Sequence, residues 1–66
     1  MRLVINGETR DVDGAQDLAA LVAGLGLDSR KVAVERNLEI VPRSTLGDVL
    51  VEDGDDYEIV TFVGGG

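Results

Sequence analysis

Tyr57-Glu58-Ile59-Val60-Thr61-Phe62-Val63-Gly64-Gly65-Gly66 is the stretch on which the fold turns. Its first seven residues are aromatic, β-branched or alternating in polarity, the signature of a half-buried strand. Tyr57 and Ile59 share one face, which the reading assigns to the core. Val60 and Phe62 share the other, which it assigns to an open face of the sheet. Three glycines follow directly, and without Cβ atoms they accept conformations closed to other residues. Arg2 to Asn6 is the natural partner of this strand, with Leu3 and Ile5 on one face and Val4 on the other. Both strands are rich in apolar residues, so the reading pairs them in parallel at the centre of a sheet. Parallel neighbours need a crossover, usually a helix.

The intervening sequence supplies one. Asn6-Gly7 is a strong two-residue hairpin signal, because both positions tolerate positive φ. Glu8 to Val12 then returns as a polar edge strand. A helix fits Ala15 to Leu25, with Leu18, Leu21, Val22 and Leu25 forming one apolar stripe. Asp13 or Gly14 is expected to cap it, Asp17 suits the positive end of its dipole, and Gly26 fits the left-handed position past its end. Lys31 to Glu35 is a strand, Arg36-Asn37 a tight turn and Leu38 to Val41 a short returning strand that Pro42 ends. Arg43 to Val51 is irregular with one helical turn near Leu46, and Asp53-Gly54-Asp55 is a turn into the last strand. The pattern predicts an α+β fold of the ubiquitin-like β-grasp type, with one mixed sheet of about five strands and one main helix packed on one face. Residues 1–63 are expected to form the domain and residues 64–66 a flexible glycine tail.

Composition excludes much chemistry. The 66 residues include no cysteine and no histidine. There is therefore no thiolate, no disulfide and no imidazole for acid–base or metal work. Gly24-Leu25-Gly26 sits at a helix end, and Asp53-Gly54-Asp55-Asp56 lacks the spacing of a calcium loop. Glu35 and Glu39 flank a turn and read as solvated strand-edge charges. A domain this small is expected to leave no room for a substrate pocket of roughly 300 Å³ or more. No catalytic and no metal-binding residue is assigned. The net charge of −7 and the lack of a basic stripe argue against nucleic acid. No segment reads as a signal peptide or membrane span, so the expected location is the cytoplasm.

What remains is the carboxyl group of Gly66. Three extended glycines reach roughly 10 Å, far enough for Gly64 and Gly65 to thread a cleft while the body stays outside. Ordering them costs about 3–6 kcal/mol of backbone entropy. The body must therefore supply the docking energy, and Val60, Phe62 and Val63, helped by acidic side chains, are the candidates.

The segments Val32-Ala33-Val34-Glu35-Arg36-Asn37, Glu39-Ile40-Val41, Asp53-Gly54-Asp55 and Glu58 through Gly66 together resemble the bacterial ThiS family of sulfur carriers. The resemblance spans nearly the whole chain. It implies that a ThiF-like adenylyltransferase, using ATP and magnesium, adenylates Gly66. It further implies that a cysteine desulfurase or other donor converts Gly66 to a thiocarboxylate, and that thiazole synthase, ThiG, takes the sulfur into the thiazole of thiamine. The chain is then a protein co-substrate that binds no cofactor itself. The alternatives are a carrier for another pathway such as molybdopterin, a ubiquitin-like modifier attached through Gly66, and a non-covalent β-grasp interaction domain.

Overall fold

The structure is a computed structural model that describes residues 1–62. Val63, Gly64, Gly65 and Gly66 lie outside the described residues. The elements are β1 (Arg2–Ile5), β2 (Glu8–Asp11), α1 (Leu18–Gly24), β3 (Val32–Arg36), β4 (Glu39–Val41) and β5 (Asp56–Thr61), with 3-10 turns at Ser29–Lys31 and Arg43–Asp48. The sheet order is β2-β1-β5-β3-β4. β5 lies at the centre, parallel to β1 and antiparallel to β3. This is the β-grasp arrangement expected from the two apolar terminal strands.

The core forms where the predicted faces meet. Leu3, Ile5, Val32, Val34, Tyr57 and Ile59 from the sheet pack with Leu18, Leu21 and Val22 of α1, and with Leu46 and Val51. β2 is exposed at all four positions, as an edge strand with polar residues should be. Asn6 (φ 51°) and Gly7 (φ 81°) make the two-residue hairpin turn.

Two local expectations need correction. The helix starts at Leu18 rather than Ala15, because Asp17 itself is the N-cap: its Oδ1 accepts the Ala20 N–H at 2.8 Å. Neither Asp13 nor Gly14 plays that part. The segment before it is held extended, with Leu18 N–H donating to Val49 and Val51 N–H to Gln16. The other end follows expectation: Gly26 (φ 79°) donates to Ala23 and Leu27 to Val22, the two-bond glycine terminator. The second turn is Asn37-Leu38 rather than Arg36-Asn37, since Arg36 still pairs with Glu39. Leu38 takes φ 72° there and is solvent-exposed, at a conformational cost of about 1–2 kcal/mol.

A third feature was not foreseen. Asp55, read as part of a plain turn, is buried. Its Oδ2 accepts from Tyr57 OH (2.7 Å), Arg36 Nε (3.0 Å) and Glu52 N–H (3.0 Å), and its Oδ1 from Asn37 Nδ2 (3.2 Å). Burial alone would raise the Asp55 pKa. The bonds from Tyr57, Glu52, Arg36 and Asn37 outweigh it and hold the carboxyl at about 2. Burial and the same carboxylate push the Tyr57 phenol up. Asn37 also binds both backbone groups of Asp56, through its own N–H (2.7 Å) and its Oδ1 (3.0 Å).

A depressed carboxyl pKa contributes stability that is complete above the unfolded value, near 4, and is lost as pH falls through the folded value. Stability should thus drop by about 2 kcal/mol between pH 4 and pH 2 from this group alone. Asp55→Asn should remove that acid-sensitive component and lower the thermal midpoint, because Arg36 loses its counter-charge and one of the two accepting oxygens becomes a donor facing other donors. Denaturant titrations of both proteins across this pH range check it.

Candidate functional site

The site is built on the far end of β5. From its start to Ile59 the strand is held on both sides. β1 pairs along one edge, and Asn6 then continues that edge with its side chain, donating Nδ2 to Ile59 O (3.0 Å) and accepting Ile59 N–H on Oδ1 (2.7 Å). Past Ile59 the register continues on the β3 side, Ala33 opposite Val60 and Val32 opposite Thr61, and Phe62 N–H donates to Lys31 O at 2.8 Å. At its far end the central strand is thus paired with β3.

The face assignment made from sequence is correct. Tyr57 and Ile59 are buried, whereas Val60 and Phe62 are 58% and 50% exposed. Ile40, 80% exposed, lies opposite Glu35 on β3, as Glu58 of β5 does from the other side. The open face thus carries the apolar side chains Ile40, Val60 and Phe62 interspersed with Glu35 and Glu58. Ile40 was not singled out from sequence; the one-residue shift of the β3–β4 turn moves its partner from Ala33 to Glu35, both on this same face.

Electrostatics at the strand end depart from the acidic surround that the sequence suggested. Asp28 caps the turn at Ser29–Lys31 and pairs with Arg30 at 3.0 Å. The Arg30 side chain and backbone N–H hold the Asp28 carboxyl at about 2. The Arg43 guanidinium lies 5.4 Å from the centre of the Phe62 ring and donates to Arg30 O at 2.7 Å. Arg30, Lys31 and Arg43 therefore gather where β5 ends, with Asp28 paired to Arg30 among them, and Glu35 and Glu58 lie further down the face. No single-sequence signal marked Arg43, because its partner is brought to it by two strand registers.

Among the described residues no group of histidine, cysteine or carboxylate side chains is arranged to hold a metal ion. Glu35 and Glu39 are both exposed. Contrary to expectation, an open groove of about 410 Å³ runs beside β4, lined by Arg36, Asn37, Ile40, Val41, Pro42 and others. Glu39 is the single carboxylate along it, so it holds no acid–base pair. Of the residues proposed from sequence, the structure places Val60 and Phe62 side by side on the open face. Val63 and the three glycines lie outside the described residues. Among the described residues no helix is long and apolar enough to cross a membrane.

The sequence model of the ThiS family matches residues 3–66. The chain belongs to the ThiS family. It is 40% identical to the sulfur carrier protein ThiS of Bacillus subtilis, over 97% of this chain and 98% of that one. The crystal structure of the thiamine biosynthesis protein ThiS from Geobacter metallireducens superposes with a TM-score of 0.83 at 36% identity, each chain covered completely. Higher identity, 61% over the whole chain, links it to a thiazole synthase of Paramagnetospirillum magneticum, and 42% to one of Magnetococcus marinus. The chain spans 20% of the length of those two relatives.

The exposure of Phe62 makes a sharp test. Phe62→Asp should leave the thermal midpoint within a few degrees of the parent and weaken binding of the partner that docks on this face. Circular dichroism melts and a binding titration measure the two effects. A collapse of the fold would show that the ring supports the core.

Proposed function

We propose that the chain is a sulfur carrier for building the thiazole ring of thiamine, with the carboxyl carbon of Gly66 as the loaded atom. The observation that carries this reading is the family match, which runs from β1 through the glycine run itself. A carboxylate resists attack because it lacks a leaving group. Attack of the Gly66 carboxylate on the α-phosphorus of ATP, with release of pyrophosphate, supplies one as an acyl-adenylate. A ThiF-like adenylyltransferase using magnesium carries out that step. A persulfide sulfur, from a cysteine desulfurase or equivalent donor, then attacks the carbonyl and AMP departs. Thiol cleavage of the resulting S–S bond leaves a thiocarboxylate. The sequence contains no cysteine, so this seat for sulfur does not compete with a side-chain thiol.

Thiazole synthase is the proposed acceptor. Proteins of that name contain a stretch 61% and 42% identical to this chain, which supports a working association between the two. Residues 1–63 act as the docking body and 64–66 as the threading tail. Val60, Phe62 and Val63 provide apolar contact, and the two inner glycines, Gly64 and Gly65, let the chain pass a narrow channel. The protein acts as a co-substrate, not a catalyst, in the cytoplasm where ATP is at hand. ATP and magnesium belong to the partner.

Intact-mass analysis tests the reading. After incubation with ATP, the activating enzyme and a sulfur source, the C-terminal peptide should gain the mass difference of sulfur for oxygen. An unchanged peptide, with an enzyme competent on another carrier, would contradict it. Gly65→Val should keep the fold and slow pyrophosphate release at least tenfold, since a β-branched side chain crowds the channel. Equal turnover of that variant would remove the steric argument.

A further inference from the structure

Phe62 is tied to the segment around Arg30 and Lys31 twice. Its backbone N–H donates to Lys31 O at 2.8 Å. Its ring is met by the Arg43 guanidinium, 5.4 Å from the centroid, and that guanidinium donates to Arg30 O at 2.7 Å. Arg43 stands on a firm base. Pro42 fixes the backbone before it, and Thr45 returns both its N–H (2.9 Å) and its hydroxyl (2.8 Å) to Pro42 O. The turn that offers the Arg30 carbonyl is itself capped by Asp28, which accepts Arg30 N–H at 2.9 Å. Three segments distant in sequence are thus strapped together at the strand end.

The choice of partner is informative. The chain has 13 acidic residues against 6 basic ones, yet among the described residues Arg43 makes no salt bridge and lies over the ring instead. A guanidinium that bonds a carbonyl with one nitrogen and lies over an aromatic ring is fixed in two places, and so constrains the ring more than a freely rotating point charge does. The ring so held is half exposed on the open face, at the last described residue before the tail.

We propose that Arg43 is a positioning residue for loading the carrier: it holds the Phe62 ring, and with it the end of β5, in the orientation the activating enzyme meets. This inference rests on the sulfur-carrier reading. Arg43 acts through Phe62 and not on the reacting carbonyl. Its loss should therefore show in capture of the carrier and not in the chemical step.

The test is adenylation kinetics with the full chain as varied substrate. Arg43→Ala should raise KM for the carrier about two- to fivefold at unchanged kcat, the span expected from an exposed cation–π contact. Arg43→Lys should recover part of the loss. Phe62→Leu keeps an apolar side chain but removes the aromatic face, and in that background Arg43→Ala should have no further effect. In the free carrier, the 15N heteronuclear NOE at Phe62 should fall on Arg43→Ala while values in β3 stay constant. Normal loading of the parent with equal KM for Arg43→Ala overturns this inference and leaves the sulfur-carrier reading standing. Additive losses in the double variant also overturn it, since they mean that the guanidinium meets the partner directly. A parent chain that never loads removes both readings together.

Discussion

β5 is clamped at its start and along both edges as far as Ile59, and everything useful about the molecule depends on that. The clamp has two asparagines in equivalent roles. Each follows a strand, each takes positive φ, which asparagine tolerates better than most side chains, and each bonds both backbone groups of one β5 residue, Asn6 with its side-chain amide alone and Asn37 with its Oδ1 and its own backbone N–H. Asn37 binds Asp56, and Asn6 binds Ile59. The buried Asp55 carboxylate adds the fixed point just before the strand, gathering Arg36, Tyr57 and Asn37 onto one group. A short central strand in a small core would otherwise have few long-range contacts to set its register.

With its start and middle fixed, the strand presents its end as a separate surface. One side of it is core, and the other is an open face of Ile40, Val60 and Phe62 set among glutamates. Arg30, Lys31 and Arg43 collect around Phe62, with Arg30 paired to Asp28. A partner that reads this face therefore meets a graded surface, with Lys31 and Arg43 near Phe62 and Glu35 and Glu58 further along the sheet. Such grading favours one docking direction over its reverse. Direction matters for a carrier, because a reach of roughly 10 Å from three glycines leaves little slack for a body docked the wrong way round.

Most of the architecture was legible because it rests on alternation and on turn chemistry. The faces of β1 and β5, the Asn6-Gly7 hairpin, the edge position of β2 and the Gly26 terminator all follow from local rules. The errors arose where a distant contact outweighs a local one. Asp17 caps α1 because the preceding residues are drawn out against Val49 and Val51. The β3–β4 turn moves one residue because Arg36 is retained in the ladder beside Asp55 and Asn37 gains Asp56, even though Leu38 is then forced to positive φ. Asp55 read as a turn residue because nothing local to Asp53-Gly54-Asp55 shows that Arg36 and Tyr57 converge on it. At the site, Val60 and Phe62 were legible from alternation. Arg43 was not, since the pairing of β5 with β3 brings Phe62 to it from a distant part of the chain, and Ile40 joins the same face only once β4 is laid beside β3.

The account stands on the carboxyl group of Gly66 being the atom that partners act upon. The most direct measurement compares ATP–pyrophosphate exchange by the activating enzyme on two forms of the same folded chain, one with a free terminal carboxylate and one capped as an amide. Exchange with the free form and none with the amide is the predicted result. Equal exchange with both would contradict the account.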